Sequence, residues 1–316
     1  MSGIHEKDKQ LYAIPDLLNW KPPQYTRIID KGILNTKNKM IIFGDEGSWK
    51  SILALHTAHC ISRGSSWLGF RTYPSIILRL QSELPMYIDR ERMEKYCNAS
   101  KRIFVAKATN PSHPNLDAMV TQYAYPTNCI SRTEQFIHID ESIGWESLKR
   151  NIELCAAEFP NSTIVVILDP LYKIFGRNIS EETDVKPLLD RIDLSMEDTK
   201  NIPGISFIIV HHTRKAKTDE SGVPIRLDNE DATGARTWVR WADTVLRIDP
   251  FLNDQTMTRY TATFTKHRNA DDVLPVIALQ WNRETLHPRI LWRKIPKYED
   301  EGELDARGDT ELSQLE

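Results

Sequence analysis

Residues 44–51 read Gly-Asp-Glu-Gly-Ser-Trp-Lys-Ser, and this spacing of glycine, lysine and hydroxyl suits the binding of phosphate groups. In a phosphate-binding loop the backbone N–H groups surround the phosphates, the lysine reaches the β- and γ-phosphate oxygens, and the next hydroxyl ligates Mg²⁺. Lys50 and Ser51 occupy those two positions. The pattern predicts an ATP and magnesium site made by Gly44, Asp45, Glu46, Gly47, Ser48, Trp49, Lys50 and Ser51.

The loop departs from the strict pattern G-x-x-x-x-G-K-[ST], because Trp49 stands where a glycine is expected. Glycine adopts positive φ angles readily, whereas a tryptophan backbone is more restricted. A glycine-containing turn before an ordinary helix is the alternative interpretation, and residues 44–51 alone favour neither one.

An acidic residue at the end of a second apolar run strengthens the nucleotide interpretation. Residues 161–170 read NSTIVVILDP, so Asp169 follows a β-branched run that is typical of a buried strand. The carboxyl ends of parallel strands form the crevice in which open α/β sheets bind ligands. We therefore expect Asp169 to be the second magnesium ligand beside Ser51.

Three further polar residues follow predicted strands and have candidate catalytic roles. Glu83 lies beyond the strand at 76–80, where a carboxylate could orient and deprotonate the water that attacks the γ-phosphate. A solvated loop acid is its alternative interpretation. His211 and His212 follow the run Ser206–Val210, and one of them could hydrogen-bond the γ-phosphate. Neighbouring side chains on an extended backbone point to opposite faces, which argues against a metal site at this pair.

Alternating strands and helices are predicted to position these residues. Strands are expected at 40–43, 76–80, 163–168, 205–210 and 244–248, and helices at 51–62, 145–159 and 185–196, where apolar residues recur at helical spacing. This order predicts an α/β fold with a mainly parallel, twisted sheet flanked by helices. Runs at 261–265 and 276–280 predict a C-terminal strand meander.

Charge is distributed unevenly along the 316 residues. Residues 298–316 hold eight acidic side chains and one arginine, so this predicted disordered tail carries −7 and leaves +4 for the rest of a chain with a net charge of −3. A mildly basic body is compatible with nucleic acid. No apolar run is long enough for a membrane span, and the four cysteines form no C-x-x-C pair, so we expect a cytoplasmic protein without membrane contact.

The motifs together resemble a known family. In order they are GDEGSWKS, Glu83, VVILDP, FIIVHHTRK, DATGARTWVRWADTVLRI and FTKHRNADDVLPVIALQWN. The set is similar to the RecA-like ATPase core of RepA-type hexameric replicative helicases of plasmids and phages, over roughly residues 25–295. The resemblance implies a RecA-like P-loop NTPase core, a homo-oligomeric ring that is expected to be a hexamer, and a part in DNA replication, with other replication or recombination proteins as candidate partners.

The resemblance also implies roles for five basic residues. Lys266 and Arg268 of the K-x-R-N motif would reach phosphates bound by the neighbouring subunit, unless they are simply exposed basic side chains. The polar segment between His212 and Trp238 would face a central channel, and its residues Arg214, Lys215 and Lys217 would bind single-stranded DNA. Five acidic residues in the same segment keep a solvated loop open as the alternative.

The resulting domain prediction has three parts: an N-terminal arm at 1–35, a RecA-like ATPase domain at 36–297 with an insertion or long loop at 106–131, and the acidic tail at 298–316. The predicted function is an ATP-dependent DNA motor of the replicative helicase type. Two alternatives stay open: a RecA-like recombination mediator or single-strand annealing ATPase, and a regulatory nucleotide-binding switch.

Overall fold

The structure is a computed structural model that describes residues 14–19, 26–81, 83–84, 86–99, 119–123, 138–197, 202–212, 236–251 and 254–296. The helices are α1 (Ile14–Asn19), α2 (Lys50–Arg63), α3 (Met86–Ala99), α4 (Ser142–Glu158), α5 (Leu171–Ile174), α6 (Glu182–Glu197) and α7 (Arg236–Trp241). The strands are β1 (Arg27–Ile29), β2 (Leu34–Asn35), β3 (Lys39–Gly44), β4 (Ile76–Gln81), β5 (Met119–Tyr123), β6 (Ile164–Asp169), β7 (Ile205–His212), β8 (Thr244–Pro250), β9 (Arg259–His267), β10 (Val276–Trp281) and β11 (Pro288–Lys294). None of the described helices is long and apolar enough to cross a membrane.

A nine-stranded mixed sheet organises the described part of the chain. Its strand order is β11-β10-β9-β8-β3-β7-β6-β4-β5. The six strands from β8 to β5 run parallel to one another, whereas β9, β10 and β11 are joined antiparallel to their neighbours. The predicted fold class, a mainly parallel sheet flanked by helices and closed by a C-terminal meander, is therefore confirmed.

The strands of the sheet centre are apolar on both faces because helices and loops cover both sides. Strands β4 and β6 are buried at every residue, as continuous apolar runs in parallel sheets usually are. Side chains alternate between two core clusters: Met40 and Ile42 of β3 pack with α2, and Ile41 and Phe43 of the same strand pack with α4 and α6. Two-sided burial fixes the register, which in turn fixes where each strand ends.

Two helices show how the sequence defines the elements. The apolar stripe of α6 (Val185, Leu188, Leu189, Ile192 and Met196) is buried as its helical spacing predicts. Helix α2 ends at Gly64, whose φ of 63° is the left-handed conformation that commonly closes a helix. The N–H of Gly64 donates to the Ile61 oxygen and that of Ser65 to the Cys60 oxygen, so the last carbonyls of α2 are paired.

Two segments differ from the domain prediction. Residues 27–35 were assigned to the arm, but β1 and β2 pair there, and Ile28, Ile29, Ile33 and Leu34 are fully buried in the core. Residues 119–123 were assigned to an insertion or long loop, but they form edge strand β5, which pairs with β4. The remaining residues of 106–131 and the whole of the tail at 298–316 lie outside the described residues.

Candidate functional site

The loop at residues 44–51 connects the carboxyl end of β3 to the amino end of α2. Parallel pairing brings the carboxyl ends of β3, β7, β6 and β4 to one edge of the sheet: Gly44 aligns with His212, and Gln81 aligns with Asp169. Four predicted motifs therefore meet at this edge. The first N–H groups of α2 and the positive end of its dipole face the same region and favour an anion there.

The side chains within the loop turn inward. Lys50 is 4% exposed, and its Nζ donates to the carbonyl oxygen of Asp45 and to Ser48 Oγ, 3.1 Å away. Ser48 Oγ in turn donates to the Asp45 oxygen over 2.7 Å. Burial lowers the pKa of Lys50 to about 8, although Asp45 and Asp169 favour its charged form. A buried ammonium held by neutral oxygens is well suited to exchange them for phosphate oxygens.

Trp49 adopts the backbone conformation that a glycine would take at this position. Its φ of 61° and ψ of 16° lie in the left-handed region, which costs a non-glycine residue about 1–2 kcal/mol. The indole ring stacks on that of Trp281 with centroids 5.5 Å apart and planes within 6°. Trp49 Nε1 also donates to the Met257 oxygen over 3.2 Å. These contacts offset the backbone cost, so the departure from the strict pattern leaves the loop geometry intact.

The predicted magnesium ligands are in contact. Ser51 Oγ donates to Asp169 Oδ1 over 2.8 Å, across the end of β6. Asp169 is 3% exposed, and burial raises its pKa to about 6, opposed by the charge of Arg79 and by the hydrogen bond from Ser51. A hydroxyl and a carboxylate at this separation form the hard oxygen pair that Mg²⁺ prefers, with phosphate and water as further ligands. No group of three or more His, Cys, Asp or Glu residues in the described ranges could hold a metal by itself.

Glu83 lines a cleft that also contains Ser51, Asp169, Gln81 and Arg79. Its backbone is fixed by Gln81, whose Oε1 accepts the N–H groups of Glu83 and Leu84 over 2.8 and 3.0 Å. The Glu83 residue is exposed. An exposed carboxylate on a braced backbone beside the magnesium ligands fits the predicted role in activating water.

A buried ion pair that the sequence analysis missed supports this cleft. Arg79, in the middle of β4, donates from Nη2 to Asp89 Oδ2 of α3, and both side chains are almost fully buried. Arg79 also lowers the pKa of Asp169 by its charge. The arginine in the otherwise apolar run IILRL was the available signal, because a charge is buried in a strand only when it has a partner. Helix α3, which provides Asp89, had no clear apolar stripe.

The two histidines at the end of β7 have different surroundings. His211 is 2% exposed, and its ring lies 6.1 Å from that of buried Trp238. His212 is half-buried and makes an edge contact with Tyr172, with ring centroids 5.0 Å apart. Burial first, and then the charge of Lys50, lowers the pKa of His212 to about 4. The influence of Lys50 places His212 on the nucleotide side of the strand, and His211 faces the opposite core, as alternation predicts.

Lys266 and Arg268 lie at the other edge of the sheet. Lys266 Nζ donates to the carbonyl oxygens of Val239 and Arg240 over 2.7 and 2.8 Å, at the end of α7. Arg268 donates to Asp243 Oδ1 and to the Arg240 oxygen, both over 3.2 Å. Asp243 also accepts the N–H of Lys39, the first residue of β3.

The length of β3 therefore separates this basic pair from the phosphate-binding loop. Six residues of strand span about 20 Å. A direct contact between Lys266 or Arg268 and phosphates bound at Lys50 of the same chain would require the sheet edge to be crossed. The predicted DNA-binding residues Arg214, Lys215 and Lys217 lie outside the described residues.

A loop that joins a buried parallel strand to a helix and ends in lysine and serine, with a carboxylate two strands away, defines a P-loop nucleotide-binding domain of the α/β class. Residues 9–218 match the model of the AAA_25 family, described as an AAA domain. The chain belongs to that family, whose members carry an AAA-type ATPase domain. A search of curated proteins found no match.

Comparison with solved structures agrees with the fold. The ATPase domain of a helicase from the phage and bacterial DnaB-like group superposes with a TM-score of 0.52 and 11% identity, covering 81% of this chain and 86% of that one. A DnaB-like replicative helicase, determined with its primase interactions, gives a TM-score of 0.52 and 12% identity over 80% of this chain and 57% of that one. The RecA-like core predicted from the motifs is confirmed, and so is the resemblance to replicative helicase ATPase domains.

Proposed function

We propose that this protein is an ATP-dependent DNA motor that forms a ring of identical subunits, a hexamer by resemblance, and translocates on single-stranded DNA to separate strands during replication. The observation that carries the proposal is the position of the K-x-R pair. Lys50 lies at one edge of the sheet, and Lys266 and Arg268 lie at the other. Such a chain presents one half of a site at each edge, which suits a head-to-tail ring.

Each residue at the nucleotide edge then has a defined role. Lys50 neutralises charge on the β- and γ-phosphates, and the backbone N–H groups of residues 47–51 bind their oxygens. Ser51 and Asp169 hold Mg²⁺, which neutralises charge that develops on the phosphate oxygens. Glu83 orients and deprotonates the attacking water, and Gln81 fixes the backbone that carries it.

His212 is the proposed phosphate sensor, in preference to His211. A pKa of about 4 keeps the His212 imidazole neutral at physiological pH. A neutral ring donates one hydrogen bond, so it can contact a γ-phosphate oxygen and lose that contact after hydrolysis. The strand that carries His212 leads directly into the segment with Arg214, Lys215 and Lys217. Hydrolysis at the sheet edge would thus be communicated to the proposed DNA-binding segment.

The pair at the opposite edge completes the site of a neighbouring subunit. Arg268 and Lys266 would stabilise the charge that develops on the phosphates bound by that subunit, as arginine fingers do. Their hydrogen bonds to α7 and Asp243 hold them in a fixed position within their own chain. A fixed cation reduces the reorganisation needed when subunits meet.

An unwinding assay with a forked DNA substrate tests the proposal. ATP and Mg²⁺ should produce single strands with the wild-type chain and no product with Lys50→Ala. Annealing of complementary strands without unwinding would favour the recombination or annealing alternative. Nucleotide binding with no DNA-dependent activity of either kind would favour the regulatory switch.

A further inference from the structure

We propose that Trp281 is a positioning residue for the phosphate-binding loop, because its ring holds Trp49 in the left-handed conformation that the loop requires. The inference rests on the proposed nucleotide site and adds a residue that is remote from it in sequence. Trp281 ends β10 in the C-terminal meander, more than two hundred residues after the loop. The meander thereby becomes part of the nucleotide-binding machinery.

The contacts between the loop and the meander converge on the two ends of the loop's second half. At Trp49 the indole lies flat on Trp281, and Nε1 donates to the Met257 oxygen. At Gly47 the carbonyl oxygen accepts from the hydroxyl of Tyr260, 3.4 Å away. Tyr260 and Met257 are themselves linked, since the same hydroxyl lies 3.3 Å from the Met257 oxygen. The meander therefore contacts the loop on both sides of Ser48.

The φ angle of Trp49 decides where the next residues point. Lys50 begins α2 directly after it, and Ser51 follows. A tryptophan without a stacking partner would relax toward negative φ, which is the preferred region for residues with a Cβ atom. That relaxation would rotate the peptide group between Trp49 and Lys50 and move the N–H groups that bind phosphate. The stack on Trp281 opposes this change.

Trp281 contributes its ring face rather than its N–H group. The side chain is 3% exposed, and Nε1 is buried with no hydrogen-bond partner among the described residues. A buried tryptophan usually has a partner for this group. The aromatic face toward Trp49 is thus the feature that a substitution must preserve, which predicts that phenylalanine can replace Trp281 and leucine cannot.

Substitution of Trp281 in two backgrounds tests this dependence. With Trp49 present, Trp281→Leu should weaken binding of ADP with Mg²⁺ about tenfold, and Trp281→Phe should stay within about twofold of wild type, a tenfold factor being about 1.4 kcal/mol. In a Trp49→Gly background the Trp281→Leu effect should shrink to less than about twofold, because glycine adopts the left-handed conformation without support. Isothermal titration calorimetry gives the affinities.

Two further measurements separate positioning from general stability. Leu279→Ala removes a fully buried side chain from the same strand, so it should lower thermal stability yet leave ADP affinity unchanged. Hydrogen exchange of the peptide that covers residues 47–51, measured without nucleotide, should become faster with Trp281→Leu only when Trp49 is present.

The results divide the two proposals. An equal effect of Trp281→Leu in both backgrounds, in affinity and in exchange, would overturn the positioning role, as would a leucine variant that binds like wild type. If the wild-type chain binds no nucleotide but exchange depends on the background as described, the positioning role stands and the proposed function fails. Loss of folding in the leucine variant leaves the phenylalanine variant decisive: a tenfold weaker affinity in that folded protein would reject the stacking argument.

Discussion

Asp169→Asn should stabilise the nucleotide-free protein above pH 6 while removing its magnesium-dependent function. Asp169 is buried at the end of β6, where desolvation disfavours its charge and raises its pKa to about 6 from an ordinary 3.8. Because the folded-state pKa is raised, the native state binds more protons than the unfolded state between these values. The carboxyl therefore favours folding at low pH, and this contribution is lost as pH rises through 6.

The size of the effect follows from the two pKa values. Each pKa unit corresponds to about 1.4 kcal/mol, so the ionised Asp169 costs about 3 kcal/mol of stability well above pH 6. Asparagine has nearly the same shape, and its carbonyl can accept the Ser51 hydrogen bond, so little else should change. The variant and the wild type should be about equally stable at pH 4 and differ by about 3 kcal/mol at pH 8.

Urea unfolding with a chelator present, at several pH values and followed by tryptophan fluorescence, measures this difference. Asp89→Asn is the matched control, since it removes the partner of buried Arg79 and should destabilise by about 3–5 kcal/mol. ADP with Mg²⁺ at one hundred times its dissociation constant should stabilise the wild type by about 2.7 kcal/mol and the Asp169→Asn protein much less. A variant less stable than wild type at pH 8, or a difference that does not depend on pH, would refute the argument.

Three further predictions concern turnover and DNA binding. Lys50→Ala should abolish ATP hydrolysis in a steady-state phosphate-release assay with an unchanged circular dichroism spectrum, and wild-type turnover would reject the P-loop assignment. Glu83→Gln should bind ATP yet hydrolyse it at least about a hundredfold more slowly, the range typical of a lost general base, and normal turnover would place the base elsewhere. Replacing Arg214, Lys215 and Lys217 with alanine should weaken single-stranded DNA binding and reduce its salt dependence by up to about two in log–log slope, and unchanged fluorescence anisotropy would exclude these charges as contacts.

The sequence was most informative where both faces of an element are buried. The strand that ends at Asp169 is a continuous β-branched run, so it could be identified together with the carboxylate that its end positions. The same reasoning located β3 and β7, and the polar residues that follow them were the site candidates. The preference for His212 over His211 needed the structure, because alternation assigns the two rings to opposite faces without saying which face holds the loop.

Long-range contacts explain what the sequence did not predict. The stack of Trp49 on Trp281 joins residues that no local pattern connects, and the pair of Arg79 with Asp89 joins a strand to a helix that lacks an apolar stripe. Residues 27–35 were assigned to the arm because prolines precede them, yet their isoleucines complete the core beside β10 and α2. Tertiary packing overrides local signals in each case.

Mixing two inactive variants tests most directly whether the site is shared between subunits. Arg268→Ala and Lys50→Ala should each be nearly inactive alone, because each removes one half of a composite site. Mixed assemblies contain some interfaces that have an intact Lys50 on one subunit and an intact Arg268 on the next. When subunits exchange, magnesium-dependent ATP hydrolysis should reappear with a maximum near equal proportions. Wild-type activity of Arg268→Ala as an isolated monomer, or no recovery after exchange has been demonstrated by fluorescence transfer, would contradict independent sites shared between neighbouring subunits.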